Sequence, residues 1–189
     1  MDFAALAHLC APWVAPATMA ALVKTESAFQ PLAIAINGGA HLQRPAQTTE
    51  EAVVTAKWLI AQGYSIDLGL GQINSANLAR TGLSVEDAFD PCKNLAAAAQ
   101  ILSWNYQAAK STILGEQAAL QAALSAYNTG SLSRGIANGY VNQVISNTPS
   151  AAPTAMPLSA PTASPPSRKI QPQTKGPEAE NPRYSEWVY

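Results

Sequence analysis

Apolar residues recur at the three- and four-residue spacing of an amphipathic helix through most of the first 148 residues. No segment alternates strictly between apolar and polar residues for more than a few positions, as a half-buried strand would. The helices that this pattern predicts cover residues 3–9, 16–26, 49–62, 74–79, 92–110, 116–126 and 139–145. The sequence therefore predicts a mostly α domain.

Several of these helices carry recognisable start and stop signals. The segment Thr48-Thr-Glu-Glu51 has the form of a capping box, and Gly63 follows the end of the same helix. Asp90 precedes Pro91, which suits the first position of the long Ala-rich helix. The second helix is predicted to end at about Glu26, so this carboxylate lies at a helix C-terminus.

The composition changes near residue 148. Nine of the fourteen prolines fall between Pro149 and Pro182, among Ser, Thr, Ala, Gln and Lys. Such a stretch buries too little apolar surface to offset the conformational entropy of the chain. The sequence therefore predicts a helical domain over residues 1–148 and a disordered Pro-rich tail over residues 149–189.

Charge and hydropathy exclude several classes of partner. A net charge of -1, with 12% charged residues, gives no basic surface for nucleic acid. No apolar run reaches the roughly 18 residues that span a bilayer, because Pro12, Pro16 and Lys24 interrupt the N-terminal apolar segment. That segment also lacks a basic start, so an export signal is not evident in this chain.

Neither cysteine nor histidine is arranged as a metal site. Cys10 and Cys92 are the only cysteines, and no Cys-x-x-Cys motif is present. His8 and His41 are not spaced as metal ligands. We therefore predict no metal and no cofactor. The two cysteines are either separate buried thiols or a disulfide, which would contribute about 4 kcal/mol in the chain-entropy model.

Glu26 is the principal candidate for catalysis. Apolar neighbours such as Leu22, Val23 and Phe29 would disfavour its ionised form, as a general acid in glycosidic bond cleavage requires. A single glutamate at a helix end is more often simply solvated. Ser27 is placed to form a local hydrogen bond beside it.

Two polar and glycine-containing segments follow Glu26. In Gly69-Leu-Gly-Gln-Ile-Asn74, the glycines would let a polymer approach the backbone, and Gln72 would donate to a sugar. In Ala126-Tyr-Asn-Thr-Gly130, Tyr127 offers a hydroxyl and Asn128 an amide. Taken singly, the first segment is also typical of a glycine loop and the second of a helix C-terminus.

In this order and spacing, Glu26-Ser27, Gly-Leu-Gly-Gln-Ile and Ala-Tyr-Asn-Thr-Gly resemble the motifs of lytic transglycosylases with a goose-type lysozyme fold. The resemblance covers about residues 5–146. The Gln-Ile-Asn ending, residues 33–38 and the closing Asn138-Gly-Tyr-Val141 most resemble the transglycosylase component of type IV secretion systems. This implies a lysozyme-like helical domain with a substrate cleft.

The resemblance also implies the chemistry. A lytic transglycosylase cleaves the β-1,4 bond between N-acetylmuramic acid and N-acetylglucosamine without water and leaves a 1,6-anhydro sugar. Glu26 would act as acid and then as base. The predicted substrate-binding residues are Ser27, Gln72, Asn74, Tyr127 and Asn128; Tyr127 corresponds to the tyrosine that orients the acid, and Asn128 holds the loop in shape.

Some positions depart from the family or add to it. Ala35 stands where many relatives have a serine that positions the N-acetyl group, and Ile136 where many have an acid. Asp67 is the nearest candidate for a second carboxylate, although a structural hydrogen bond is the more ordinary interpretation. The family context favours a disulfide between Cys10 and Cys92, and places the domain in the periplasm.

Three functions remain to be distinguished. The first is a lytic transglycosylase that opens peptidoglycan for secretion or conjugation machinery, with secretion-system components bound through the C-terminal tail. The second is a hydrolytic muramidase of the same fold. The third is a non-catalytic peptidoglycan-binding assembly module, against which the intact motifs argue.

Overall fold

The computed structural model describes residues 2–149, which pack around one apolar core. The helices within this range are α1 (Phe3–Cys10), α2 (Pro16–Ser27), α3 (Thr49–Ala61), α4 (Leu78–Thr81), α5 (Pro91–Lys110), α6 (Glu116–Thr129), α7 (Arg134–Ala137) and α8 (Tyr140–Ser146). The predicted mostly α fold class is confirmed. The predicted Pro-rich tail, apart from Pro149, lies outside the described residues.

Local capping explains where α3 and α5 begin. The Thr48 side chain accepts a hydrogen bond from the Glu51 N–H at 3.2 Å, and Asp90 accepts one from the Lys93 N–H at 2.9 Å. Both bonds satisfy N–H groups that have no partner inside the helix. Pro91 occupies the first turn of α5, as predicted.

The sequence did not predict the small antiparallel sheet that follows α2. It consists of β1 (Ile34–Ile36), β2 (Ile66–Leu68) and β3 (Ile73–Asn74), with β2 in the middle. Ala35 pairs with Asp67, which in turn pairs with Asn74. Strands of two or three residues are too short to show alternation, which is why the pattern missed them. The helix predicted over residues 74–79 is a 3-10 turn (Ser75–Asn77) followed by α4.

Helix α5 is the centre of the core. It packs against α6 and α1, and its side chains Leu95 and Leu102 are fully buried. The two cysteines form a disulfide, which joins the end of α1 at Cys10 to the first turn of α5 at Cys92. Within residues 2–149, no helix combines the length and the apolar character that crossing a bilayer requires.

Candidate active site

Glu26 lies in the last turn of α2, between the core and solvent. Leu22 and Val23, in the same helix, are fully buried, whereas Glu26 itself is half-buried. The Tyr140 hydroxyl, at the start of α8, donates a hydrogen bond to the Glu26 Oε1 atom. The residue that follows the helix, Ala28, adopts the left-handed conformation with φ of 50°. The carboxyl group is thus held against the domain by one hydroxyl from a distant helix.

Burial raises the pKa of Glu26 to about 7. The hydrogen bond from Tyr140 acts in the opposite direction, because it favours the ionised carboxylate, and the negative charge of Asp67 adds to the increase. A carboxyl group with this pKa is substantially protonated near neutral pH. It can therefore donate a proton and later accept one, as a general acid and base must.

The turn between β2 and β3, residues 69–72, is the second part of the site, and we call it the glycine turn. Side chains from three helices bind its backbone. The Ser27 hydroxyl donates to the Leu70 carbonyl at 2.8 Å, and the Tyr127 hydroxyl donates to the Gly71 carbonyl at 2.6 Å. The Gly71 N–H donates to the Asn94 Oδ1 atom at 2.7 Å. The turn is consequently fixed relative to α2, α5 and α6.

Asn94 was missed by the sequence analysis, although its side-chain amide makes three hydrogen bonds in and around the turn. It is fully buried in α5, and its Nδ2 group donates to the Leu68 carbonyl at 2.9 Å and to the Ala88 carbonyl at 2.7 Å. Its amide is therefore satisfied by the strand before the turn, the turn itself and the segment before α5. A polar residue within the apolar face of a helix was the available signal.

The glycines face the protein interior, not a bound polymer. A Cβ atom at Gly71 would lie 2.6 Å from the Ala98 Cβ atom, and one at Gly69 would lie 2.3 Å from the Ala88 carbonyl oxygen. Gly69 also has a φ of +72°, which disfavours other residues. The interpretation that these glycines open the backbone to substrate is therefore wrong; they allow the turn to pack closely on α5.

A polar cluster covers the outer face of the sheet. The Asp67 Oδ1 atom accepts a hydrogen bond from Asn74 at 2.7 Å, and Oδ2 accepts one from Asn37 at 3.0 Å. Asn74 also donates to the Ser65 hydroxyl at 3.0 Å. Burial raises the pKa of Asp67, while the two amide donors oppose that increase. We call Asn37, Ser65, Asp67 and Asn74 the sheet cluster.

The tyrosine that contacts Glu26 is not the predicted one. Tyr140 donates to Glu26, whereas the Tyr127 hydroxyl is used by Gly71. The assignment of Tyr127 as the residue that orients the acid is therefore wrong, because a hydroxyl has one proton and Tyr127 donates it to a backbone carbonyl. Tyr140 was predicted only as part of the closing Asn138-Gly-Tyr-Val141 segment, without a role of its own. A buried phenol needs a partner for its hydroxyl, which was the signal for a polar role.

The other predicted binding residues differ in how many hydrogen-bond donors and acceptors remain free for a ligand. Ser27 is buried and its proton is donated to Leu70, so the structure gives it a structural bond in place of the predicted substrate contact. Asn74 donates both amide protons within the sheet cluster, and its oxygen accepts from the Ala76 N–H at 3.0 Å. Its hydrogen-bonding capacity is therefore largely used by the protein.

Gln72 and Asn128 are more accessible. Gln72 is half-buried, has a φ of 50°, and donates from Nε2 to the Gly69 carbonyl at 2.9 Å. Asn128 is exposed, and its Oδ1 atom accepts from Asn138 at 3.3 Å. Both side chains retain donors or acceptors for a ligand. Their roles in binding stay predictions.

The positions that depart from the resemblance are also exposed. Ala35 lies on β1 directly opposite Asp67, and Ile136 lies on α7 with 45% of its surface exposed. Phe29 is 40% exposed, and its ring packs edge-on against Phe3. In the part of the chain that is described, no three His, Cys, Asp or Glu side chains are grouped as metal ligands.

The chain that carries this carboxyl and this turn is similar to a known protein family. The family described as Transglycosylase SLT domain matches residues 4–147. The chain belongs to the transglycosylase SLT domain family. The helical domain is accordingly lysozyme-like, and the matched range includes Glu26, the glycine turn and Tyr140.

Named relatives of this transglycosylase SLT domain are virB1 proteins, and the name of one of them assigns it to a type IV secretion system. The chain is 44% identical over 134 residues to the type IV secretion system protein virB1 of Brucella suis biovar 1 (strain 1330), covering 70% of this chain and 56% of the relative. It is 42% identical over 135 residues to protein virB1 of Agrobacterium fabrum, covering 70% and 53%. The chain thus spans about half the length of these relatives. No solved structure matches it.

Proposed function

We propose that this chain is a peptidoglycan lytic transglycosylase that opens the cell wall locally for a type IV secretion or conjugation machine. The observation that carries the proposal is the half-buried Glu26 carboxyl, whose pKa is raised to about 7 and which Tyr140 holds in place. Membership of the transglycosylase SLT domain family supports the reaction class. The names of its relatives support the secretion context.

The proposed reaction cleaves the β-1,4 bond between N-acetylmuramic acid and N-acetylglucosamine. Protonated Glu26 donates to the glycosidic oxygen, and the C1–O bond breaks with its electron pair moving to that oxygen. The C6 hydroxyl oxygen of the same muramyl residue then bonds to C1. Its proton passes to the Glu26 carboxylate, which restores the acid. The products are a 1,6-anhydromuramyl end and a free N-acetylglucosamine end.

Two features of the site suit this cycle. Because one residue serves as acid and base in turn, its pKa should lie close to the working pH, and about 7 meets that requirement. The glycine turn is held by Ser27, Asn94 and Tyr127, so a glycan bound against it would meet a rigid surface. We assign glycan contacts to half-buried Gln72 and exposed Asn128, whose side chains retain hydrogen-bonding groups for a ligand.

The cellular setting follows from the substrate. Peptidoglycan lies outside the cytoplasm, and the disulfide between Cys10 and Cys92 suits an oxidising compartment, so we propose a periplasmic location. We also propose that secretion-system components are bound through the predicted Pro-rich tail. That tail lies outside the described residues.

Glu26→Gln tests the proposal directly. Purified sacculi are digested with either protein, and the muropeptides are analysed by mass spectrometry. We expect 1,6-anhydro products from the unmodified protein, and turnover lower by on the order of a hundredfold to ten-thousandfold in the variant, because glutamine cannot transfer the proton. Glu50→Gln, an exposed position in the first turn of α3, is the matched control and should be fully active.

The products separate the three functions. Reducing muramyl ends in place of anhydro ends would show a hydrolytic muramidase. Binding to sacculi without any cleavage by the unmodified protein would show a non-catalytic module. Full activity of Glu26→Gln would refute the mechanism.

A further inference from the structure

We propose that Asn138 is a positioning residue for Glu26: it fixes the start of α8, and with it the point from which the Tyr140 hydroxyl reaches the Glu26 carboxyl. The inference rests on the proposed function, because the proton that it concerns is the one that Glu26 would transfer. Asn138 acts through Tyr140. The sequence resemblance gave Asn138 no role of its own.

The Asn138 side chain bridges the last turn of α6 and the first residue of α8. The Tyr140 N–H donates to the Asn138 Oδ1 atom at 3.0 Å, and the Asn138 Nδ2 group donates to the Asn128 Oδ1 atom at 3.3 Å. A backbone N–H can only donate, so the oxygen of the Asn138 amide must face Tyr140 and its nitrogen faces Asn128. One amide thus joins the two helices.

Helix α8 depends on contacts of this kind. It has 7 residues, and a helix of this length is not stable on its own. The N–H groups of its first turn have no partner inside the helix, and Gly139, which precedes it, has no side chain that could accept from them. Asn138 supplies the acceptor for the Tyr140 N–H instead. The first residue of α8 is therefore held by Asn138.

Asn138 itself has a fixed place, because α7 packs directly on the backbone of α6. The Gly135 N–H donates to the Ser125 hydroxyl oxygen at 2.7 Å, and a Cβ atom at Gly135 would lie 2.7 Å from the Ser125 Cα atom. Ser125 is fully buried. The Asn138 N–H donates to the Arg134 carbonyl at 3.0 Å at the end of α7. Asn138 is thereby fixed relative to α6.

Tyr140 converts the position of the α8 backbone into a hydrogen bond. Its side chain is buried, and its hydroxyl donates to the Glu26 Oε1 atom. A tyrosine side chain has only two rotatable bonds, so the place of its hydroxyl follows the place of its backbone. A displacement of about 1 Å is enough to impair a reacting group. The bond from Asn138 to the Tyr140 N–H therefore matters for the orientation of Glu26.

The charged and titratable groups around this contact come from several elements. Tyr140 and Asp67 act on Glu26, while Glu26 and Tyr127 act on Tyr140. The other ionisable side chains on the helices packed against α2 and α8 are all exposed: His8, Lys24, Glu116 and Arg134. The Tyr140 hydroxyl favours the ionised form of Glu26, so a weaker bond from Tyr140 should raise the pKa of Glu26.

Asn138→Ala in the full chain is the test. The pKa of Glu26 is measured in the free protein by carbon-13 NMR, and kcat and KM are measured on soluble glycan strands. We expect the pKa to rise above about 7, and kcat to fall on the order of threefold to tenfold with KM largely unchanged, because the variant disturbs the carboxyl and not the bound glycan. Asn138 is exposed, so its truncation leaves no cavity in the core.

Two further variants test the route through Tyr140. In a Tyr140→Phe background the hydroxyl is already absent, so Asn138→Ala should raise the pKa of Glu26 no further. Asn138→Ser keeps a neutral oxygen that can accept the same N–H two residues on, so it should restore most of the pKa and of kcat. An additional rise in the Tyr140→Phe background, or a serine variant that behaves like the alanine variant, would overturn the inference.

Asn147→Ala is the matched structural control at the other end of α8. The Asn147 Nδ2 group donates to the Thr25 hydroxyl at 3.0 Å, so this variant weakens the attachment of α8 to α2 without removing the bond to the Tyr140 N–H. It should lower the free energy of unfolding and leave the pKa of Glu26 unchanged. An equal rise of that pKa in Asn147→Ala and Asn138→Ala would show a general loosening of α8 and overturn the inference.

The NMR titration separates this inference from the proposed function, because it needs no substrate. An unmodified protein that does not cleave glycan strands would refute the proposed function, and the pKa of Glu26 would still report on Asn138. An active protein in which Asn138→Ala leaves that pKa unchanged would refute only the role of Asn138.

Discussion

The end of α2 and the glycine turn lie side by side but differ in how their polar groups are hydrogen-bonded. At the end of α2, the Glu26 carboxyl is half-buried, and among residues 2–149 one side chain, Tyr140, donates a hydrogen bond to it. In the glycine turn, backbone groups of Leu70 and Gly71 are bound by side chains from three helices. The first region keeps a titratable group in an environment that disfavours its charge. The second region satisfies its polar groups and stays in place.

This difference matches two roles, a titratable carboxyl at the end of α2 and a rigid surface in the glycine turn. Burying a carboxylate with few partners costs free energy, and the benefit is a proton held near neutral pH. Burying a turn with all its partners is favourable and gives the carboxyl a fixed surface to work against. Substitutions in the two regions should therefore change stability with opposite signs.

The largest effect is expected for Asn94→Ala. It removes the partners of the Gly71 N–H and of two carbonyls in a fully buried place. Each unsatisfied buried group costs about 1–3 kcal/mol, so the free energy of unfolding should fall by about 3–5 kcal/mol. Chemical denaturation of both proteins measures the difference.

A matched control lies on the same helix. Asn105 is half-buried and makes one long bond, from Nδ2 to the Ala123 carbonyl at 3.5 Å. Asn105→Ala should cost less than about 1 kcal/mol. A loss of similar size in the two variants would mean that Asn94 does not hold the glycine turn, and the contrast between the two regions would lose its basis.

The second effect has the opposite sign and depends on pH. Glu26 has a pKa of about 7 in the folded state and 4.5 as its ordinary value, so the folded state binds the proton more tightly. Its stabilising contribution is present below pH 4.5 and is lost as pH rises through about 7. Glu26→Gln should abolish this decrease in the free energy of unfolding with rising pH, because glutamine does not ionise. Above pH 7 the variant should be more stable by about 2 kcal/mol, since one pKa unit is about 1.4 kcal/mol and partial exposure screens the charge.

Unfolding curves at acidic and alkaline pH check this sign. The two proteins should be equally stable where Glu26 is protonated in both folded and unfolded chains. Glu51 provides the opposite case, because hydrogen bonding to Arg44 lowers its pKa. Glu51→Gln should therefore reduce stability at neutral pH. A Glu26→Gln variant that is less stable than the unmodified protein at alkaline pH would contradict the view that this carboxylate is unfavourably placed.

How much of this could be predicted depends on the range of the interactions. The helices were predictable because caps such as Thr48 and Asp90 act within three residues. The sheet was not, since its strands have only two or three residues and β1 pairs with β2 across about thirty residues, as between Ala35 and Asp67. Long-range pairing leaves no periodic signal in so short a segment.

The site shows the same limit. Sequence motifs identified the glutamate and the glycine turn, yet they did not show which tyrosine contacts Glu26. Tyr127 and Tyr140 are both more than one hundred residues from it along the chain. Only the packing of α6 and α8 decides that Tyr127 reaches Gly71 and Tyr140 reaches Glu26. The direction in which Gly71 faces is likewise a property of its packing on α5.

The smallest effect should come from Tyr140→Phe, which removes the hydroxyl that donates to Glu26 and leaves the ring in place. Because that hydroxyl favours the ionised carboxylate, its loss should raise the pKa of Glu26 above about 7. The fall in kcat/KM at high pH, where Glu26 loses its proton, should then move to higher pH. We expect kcat to fall about tenfold, or about 1.4 kcal/mol, because the carboxyl loses its orientation. Tyr127→Phe is the matched control. It loses a bond to Gly71, not to Glu26, so the pH at which kcat/KM falls on the alkaline side should not change. An equal shift of this pH in both variants would show that neither hydroxyl acts on the carboxyl directly. The two regions would then respond as one packed unit.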